Sequence, residues 1–227
     1  AGVRAYLVAG TQHGGRAGLT AAPGPCANPR NPHSPAPALR ALLVALDRWV
    51  SDGVEPPPSR VPSLASRTLV APDATGFPPI PGVRRVLEVN RLSVFGDWVE
   101  PRPDSSKTYR PLVARVDGDG NEVAGIRLPG IAVPLGTHTG WNVYREPFPD
   151  GELCDRDGTF AAFARTRAER LAAGDPRASI EERYGSHARY VARVDTAVAE
   201  LVRARLLLPE DAERMRAAAR RSDPLAP

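Results

Sequence analysis

Val3-Arg-Ala-Tyr-Leu-Val-Ala9 runs directly into Gly10-Thr-Gln-His13-Gly14-Gly15. An apolar, strand-forming stretch stops at a glycine-rich turn that carries one histidine. In α/β enzymes a loop at the end of a buried strand exposes a side chain on a rigid support, which is what a general base requires. No other part of the chain offers a comparable proton-transfer group. The stretch lies at the very start of the sequence, as if the chain enters in the middle of a fold.

Outward from that turn, residues 14–38 read as a long loop. Its segment Cys26-Ala-Asn28-Pro29-Arg30-Asn31-Pro32-His33-Ser34-Pro35 has a proline at every third position, which blocks helix and ladder alike. Loops of this length are usually functional or packed over a site. Residues 36–52 form the clearest helix of the first half. Leu39, Leu42, Leu43, Leu46, Trp49 and Val50 fall on one face, Gly53 supplies the stop, and Pro56, Pro57 and Pro58 prevent continuation. Residues 60–135 read as irregular β structure, with a short strand at 68–72 and a rigid connection at 77–82. The clearest hairpin runs through 109–116, the turn Asp117-Gly-Asp-Gly-Asn121, and 122–128. Residues 131–150 are loop-like and 160–173 helical. Ser179 begins a capping box (Ser-Ile-Glu-Glu182), a helical pattern continues through Tyr190, Val194, Val198 and Leu201, and Pro209 opens a last helix ending near Arg221.

Composition narrows the function. The 227 residues include 25 prolines and 20 glycines, so turns and loops take much of the chain. The formal net charge is +4 and Lys107 is the only lysine, but charges of both signs alternate, as in Asp211-Ala-Glu213-Arg214. No basic stripe tracks a phosphate backbone, and nucleic acid is not expected as a partner. No apolar run is long enough to span a membrane. Cys26 and Cys154 stand alone, outside any CxxC pattern. Reduced thiols in the cytoplasm are the expectation, with a pair as the alternative if a longer precursor is exported.

His13 fits the histidine of a Ser–His–acid triad, since it follows a strand and precedes an amphipathic helix; the plainer reading is a loop histidine bonded to backbone. No Gly-x-Ser-x-Gly elbow is present, and Ser93, the nearest candidate, lacks the first glycine. A triad built on His13 therefore needs a serine and an acid from upstream. The Asp117–Asn121 turn invites a calcium reading, but the sixth and twelfth loop positions hold Glu122 and Leu128 instead of Gly and Glu. His13, His33, His138 and His187 form no compact ligand pair, so no metal is expected. Gly136-Thr-His138-Thr139-Gly-Trp141-Asn142 combines an indole, hydroxyls and an amide, the inventory of a binding loop. Thr139, Trp141 and Asn142 are its candidate substrate contacts; the alternative is a surface turn with Trp141 tucked into the core.

Several segments in the same order resemble one family. They are Ala9-Gly-Thr-Gln-His-Gly14, Cys26-Ala-Asn-Pro-Arg-Asn-Pro-His33, Ala132-Val-Pro-Leu-Gly-Thr-His-Thr-Gly-Trp-Asn142 and Gly151-Glu-Leu-Cys-Asp-Arg-Asp-Gly158. Together they are similar to the C-terminal part of bacterial α/β hydrolase domain-containing proteins. The resemblance implies an α/β fold: the C-terminal part of an α/β-hydrolase-like fold, with a proline-rich β insertion and a helical C-terminal region. It divides the chain into 1–55 (last core strand, histidine loop and closing helix), 56–158 (the insertion) and 159–227 (the helical region). It implies a serine hydrolase, most simply acting on a carboxylic ester, to which this chain contributes His13 as a C-terminal fragment. The nucleophile-bearing N-terminal portion of the same protein is then a partner, the substrate is a small-molecule ester, and no cofactor is needed. The alternative is a non-catalytic binding or scaffold module, or a partner subunit without a complete site. An edge strand that has lost a sheet neighbour also predicts self-association of the isolated chain.

Overall fold

In the computed structural model, residues 2–13, 24–86, 89, 92–154 and 156–226 are described. Segment 4–10 is extended, but it forms no continuous strand. Isolated parallel bridges join Tyr6 to Arg60 and Val8 to Ile126. Both lie on one edge, where Leu7 N–H donates to the Arg60 carbonyl at 2.9 Å and Ala9 N–H to that of Ile126 at 3.0 Å. The expected buried strand over 3–9 is thus corrected. Val8 and Ala9 are buried, whereas Val3 is 74% exposed. On the other edge, Tyr6 N–H, Tyr6 C=O and Val8 N–H take no partner among the described residues.

Helix α1 (Ala36–Asp52) forms where the spacing predicts it and ends at Gly53 with φ of 70°, a conformation that suits glycine. Its orientation is the surprise. It buries Ala38, Ala41 and Ala45 and leaves Leu39, Leu43, Leu46 and Val50 exposed, the last two at 50% and 79%. Each such side chain forgoes part of the roughly 1.5–3 kcal/mol that full burial contributes.

The β structure is three small antiparallel pairs: β1 (Leu69–Val70) with β4 (Val113–Ala114), β2 (Leu92–Phe95) with β3 (Pro103–Tyr109), and β5 (Gly136–His138) with β6 (Phe160–Ala162). The expected hairpin turn is present, since Asp117 and Asn121 pair through backbone at 2.8 Å and Val116 bridges Glu122. The helix expected over 160–173 is shorter. Residues 160–162 pair with β5, and α3 (Arg167–Ala173) starts only after Thr166, whose hydroxyl and Glu169 form a capping box.

The core lies at the C-terminal end. After a single-turn α2 (Pro129–Ala132) and the short α4 (Ile180–Tyr184), α5 (His187–Arg203) packs on α6 (Pro209–Arg221). Val194, Val198, Leu201, Leu206 and Leu207 bury against Ile126, Leu128, Phe163 and Ala212, and Val8 and Ala38 join the same cluster. The Ser179 capping box and Pro209 stand where the sequence puts them. Buried Arg177 joins β5 and β6 from below. It donates to Thr137 Oγ1 at 2.8 Å and to the carbonyls of Ala161 and Ala162, and pairs with buried Asp175 at 2.6 Å.

Cys26 and Cys154 form a disulfide, with Cα atoms 5.6 Å apart, which corrects the expectation of reduced thiols. The reason is tertiary. The bridges Cys26–Tyr144 and Val143–Leu153 bring together residues 128 positions apart, a proximity with no local signature. Closing so long a loop is worth about 5 kcal/mol in the chain-entropy account. Urea unfolding with and without reductant is expected to show a loss of that order. Arg177→Met is expected to cost about 3–5 kcal/mol in the same assay, because it strands the Asp175 carboxylate in the interior; adding Asp175→Asn should recover some of the loss.

Candidate functional site

The turn after segment 4–10 is built by side chains arriving from far away in sequence. Gly10 adopts φ of 65°, and a Cβ there would press on the buried Ile131 side chain, so glycine is favoured on both counts. Its N–H donates to Glu122 Oε2 at 2.8 Å, and its carbonyl accepts from Asn31 Nδ2 at 2.7 Å. Thr11 Oγ1 donates back to the Val8 carbonyl, and buried Gln12 accepts the Gly158 N–H at 2.6 Å. His13 then stands exposed on the turn and makes no hydrogen bond or ion pair among the described residues. Gly14 and Gly15, which complete the glycine-rich turn in the sequence, lie outside the described residues.

Asn31, fully buried, organises the chain around Gly10. Its Nδ2 also donates to the Thr139 carbonyl at 2.9 Å, while its Oδ1 accepts from His33 N–H and from His138 Nδ1 at 2.8 Å. With both amide hydrogens spent on carbonyls, Oδ1 must face His138, and the network assigns the neutral His138 tautomer protonated on Nδ1. Burial holds His33 down to about 4; burial, then the neighbouring His33, holds His138 down to about 3. The two rings lie 5.3 Å apart. Neither is a base for neutral pH.

Glu122 reaches Gly10 because the hairpin turn delivers it. Asp117 Oδ1 accepts the N–H groups of Asp119 and Asn121, and the turn then presents Asn121 to β5 and Glu122 to Gly10. Burial pushes the Glu122 carboxyl above its ordinary range, against the opposing pull of the Gly10 N–H. The acidic turn is a structural element: Asp117 pairs with Arg127 at 3.0 Å and Asp119 with Arg183.

The loop containing the expected substrate contacts packs beside the turn. Thr139 and Asn142 are buried, and their polar atoms are engaged. Thr139 Oγ1 donates to the Trp141 carbonyl and accepts the Thr159 N–H. Asn142 accepts from Asn28 N–H and Val143 N–H and donates to the carbonyls of Asn28 and Gly158. Trp141 is half-buried with its ring 5.3 Å from Phe77. The two loops touch through backbone. A Cβ on Gly140 would lie 2.8 Å from the Thr11 carbonyl oxygen, and one on Gly158 would collide with that of Thr139. Thus His13, Thr139, Trp141 and Asn142 occupy adjoining loops, with the hydroxyl and amide turned inward. Ser93 is exposed on β2, opposite Thr108 of β3.

Sequence reasoning missed Asn31, Gln12, Asn121 and Glu122, the residues that hold the turn. Only the Asn-Pro repeat around Asn31 marked an ordered loop in advance. An open groove between α2 and α5, lined by Val133, Arg193, Thr196 and Glu200 among others, contains none of the site residues.

A family model described as an alpha/beta hydrolase domain matches residues 1–217. No curated protein and no solved structure matches the chain.

Two outcomes follow from this geometry. Gly158→Ala is expected to destabilise by about 1–3 kcal/mol through overpacking, whereas Gly118→Ala, which meets open space, should stay within about 0.5 kcal/mol; thermal unfolding compares them. The depressed histidines bind protons more weakly folded than unfolded. Their contribution is therefore complete above 6.5 and is lost as pH falls toward about 3. Chemical denaturation across that window should show the decline, and His33→Gln should reduce it.

Proposed function

The chain belongs to the alpha/beta hydrolase domain family, and on that premise we propose that it supplies the histidine base, His13, of a serine hydrolase acting on carboxylic esters. The observation that carries this reading is the exposed imidazole at the end of a backbone turn fixed by Glu122, Asn31 and Gln12. A base must be held in one place yet reach substrate, and a clamped turn whose exposed imidazole has no partner among the described residues meets both demands.

In the proposed reaction His13 takes the proton from a serine hydroxyl as the oxygen attacks the ester carbonyl. It then returns the proton to the leaving alcohol, and repeats the sequence with water to release the acid. The serine, and a carboxylate to orient the imidazole, come from outside these residues. Two features support a larger sheet that contains them: the open edge at Tyr6 and Val8, and the exposed apolar face of α1. Trp141 offers an apolar wall for the ester. Thr139 and Asn142 contribute through the loop shape they fix, since their polar atoms are already bonded. The disulfide favours an oxidising compartment over the cytoplasm expected from sequence.

The test is hydrolysis of p-nitrophenyl esters by the full-length protein that carries this sequence. His13→Ala is expected to lower kcat at least about 1,000-fold; unchanged turnover would remove His13 from the mechanism. Expressed alone, the 227-residue chain is expected to self-associate through the open edge and the α1 face. Sedimentation should show oligomers that Leu43→Glu/Leu46→Glu weakens, and a monomer would contradict the exposed-interface account.

A further inference from the structure

We infer that Glu122 is a positioning residue for His13, acting through the backbone of Gly10. The inference rests on the reading of His13 as the base. Gly10 is the pivot of the turn: its left-handed φ of 65° reverses the chain, and its two peptide groups are gripped by side chains from different segments. The Asn31 grip belongs to a saturated network that also serves Thr139, His33 and His138. The Glu122 grip is different. Its carboxyl makes one hydrogen bond, to Gly10 N–H, and no ion pair among the described residues. Burial disfavours its charged form, so it is an uneconomical choice as mere packing in this corner.

What Glu122 provides is reach. The residue sits at the Val116–Glu122 bridge closing the hairpin turn, 112 positions from Gly10, and an acceptor there must extend across to the pivot. His13 lies three positions beyond the pivot, with only Thr11 and Gln12 between them. A fully extended chain of that length spans only about 10 Å, so a tilt at Gly10 is carried to the imidazole with little room for correction. Displacing a catalytic group by about 1 Å costs on the order of 100-fold in rate.

The side-chain series Glu122→Gln, Glu122→Asp and Glu122→Ala separates reach from charge in the full-length protein. Glutamine retains the reach and an acceptor oxygen without the charge; aspartate retains the charge but is one methylene short. If Glu122 positions the turn, Gln keeps kcat on p-nitrophenyl esters within about 3-fold, while Asp and Ala lose roughly 10–100-fold with KM little changed. Rates are expressed per active site titrated with a fluorophosphonate, so that loss of folded protein does not count. Hydrogen exchange at the Gly10 amide reports the grip without reference to catalysis: protection is expected in wild type and Gln, and faster exchange in Asp and Ala. Wild-type kcat in Ala, or a rate retained in Asp and lost in Gln, overturns the inference. If His13→Ala keeps full turnover, the reading of His13 fails instead, and the Gly10 exchange pattern still decides whether Glu122 holds the turn.

Discussion

The buried side-chain amide of Asn31 places two donors and one acceptor oxygen on three stretches of chain. It holds the Gly10 carbonyl, the Thr139 carbonyl, the His33 N–H and the His138 ring. The groups of Gly10, Thr139 and His138 lie in the interior, where an unpaired polar group costs about 1–3 kcal/mol. One amide therefore settles where the histidine turn, the proline-rich loop and β5 lie relative to one another. Asn142 has the same role in the adjoining layer, joining residue 28 to residues 143 and 158.

This style of construction follows from composition. A chain with 25 prolines cannot place its peptide groups in long ladders, and the named sheets are only two strands each. Side chains take over the work that ladders do elsewhere: asparagines where the chain turns, Arg177 beneath β5 and β6, and Arg40 with Asp211 between α1 and α6. The apolar core is concentrated instead where helices are possible, around α5 and α6. Residues 10–12 and the loop bearing Trp141 are thus held by polar contacts, and the scaffold behind them by apolar ones.

Much of this was legible in the residues. Helical spacing, Gly53, the Ser179 capping box and Pro209 are local signals, and local physics decides them. So is the acidic hairpin turn, where Asp117 caps its own backbone. The direction α1 faces was not legible, because an apolar stripe says that a surface wants covering and not which neighbour covers it. In this structure the alanines and Leu42 face the core, whereas Leu39, Leu43 and Leu46 do not. The Cys26–Cys154 bond and the roles of Asn31 and Glu122 are long-range facts, carried by residue types that look ordinary in a polar loop. Phe160–Ala162 reads as the start of a helix until β5 is there to pair with it.

The central claim is that a turn held by Glu122, Asn31 and Gln12 presents His13 as a base. The most direct measurement follows the His13 imidazole by 15N NMR through a pH titration of the full-length protein, alongside kcat/KM for ester hydrolysis. The account predicts that the acid limb of kcat/KM and the His13 titration share one midpoint. A rate profile whose acid limb is displaced from the His13 titration, or one that persists unchanged when His13 is replaced, would contradict it.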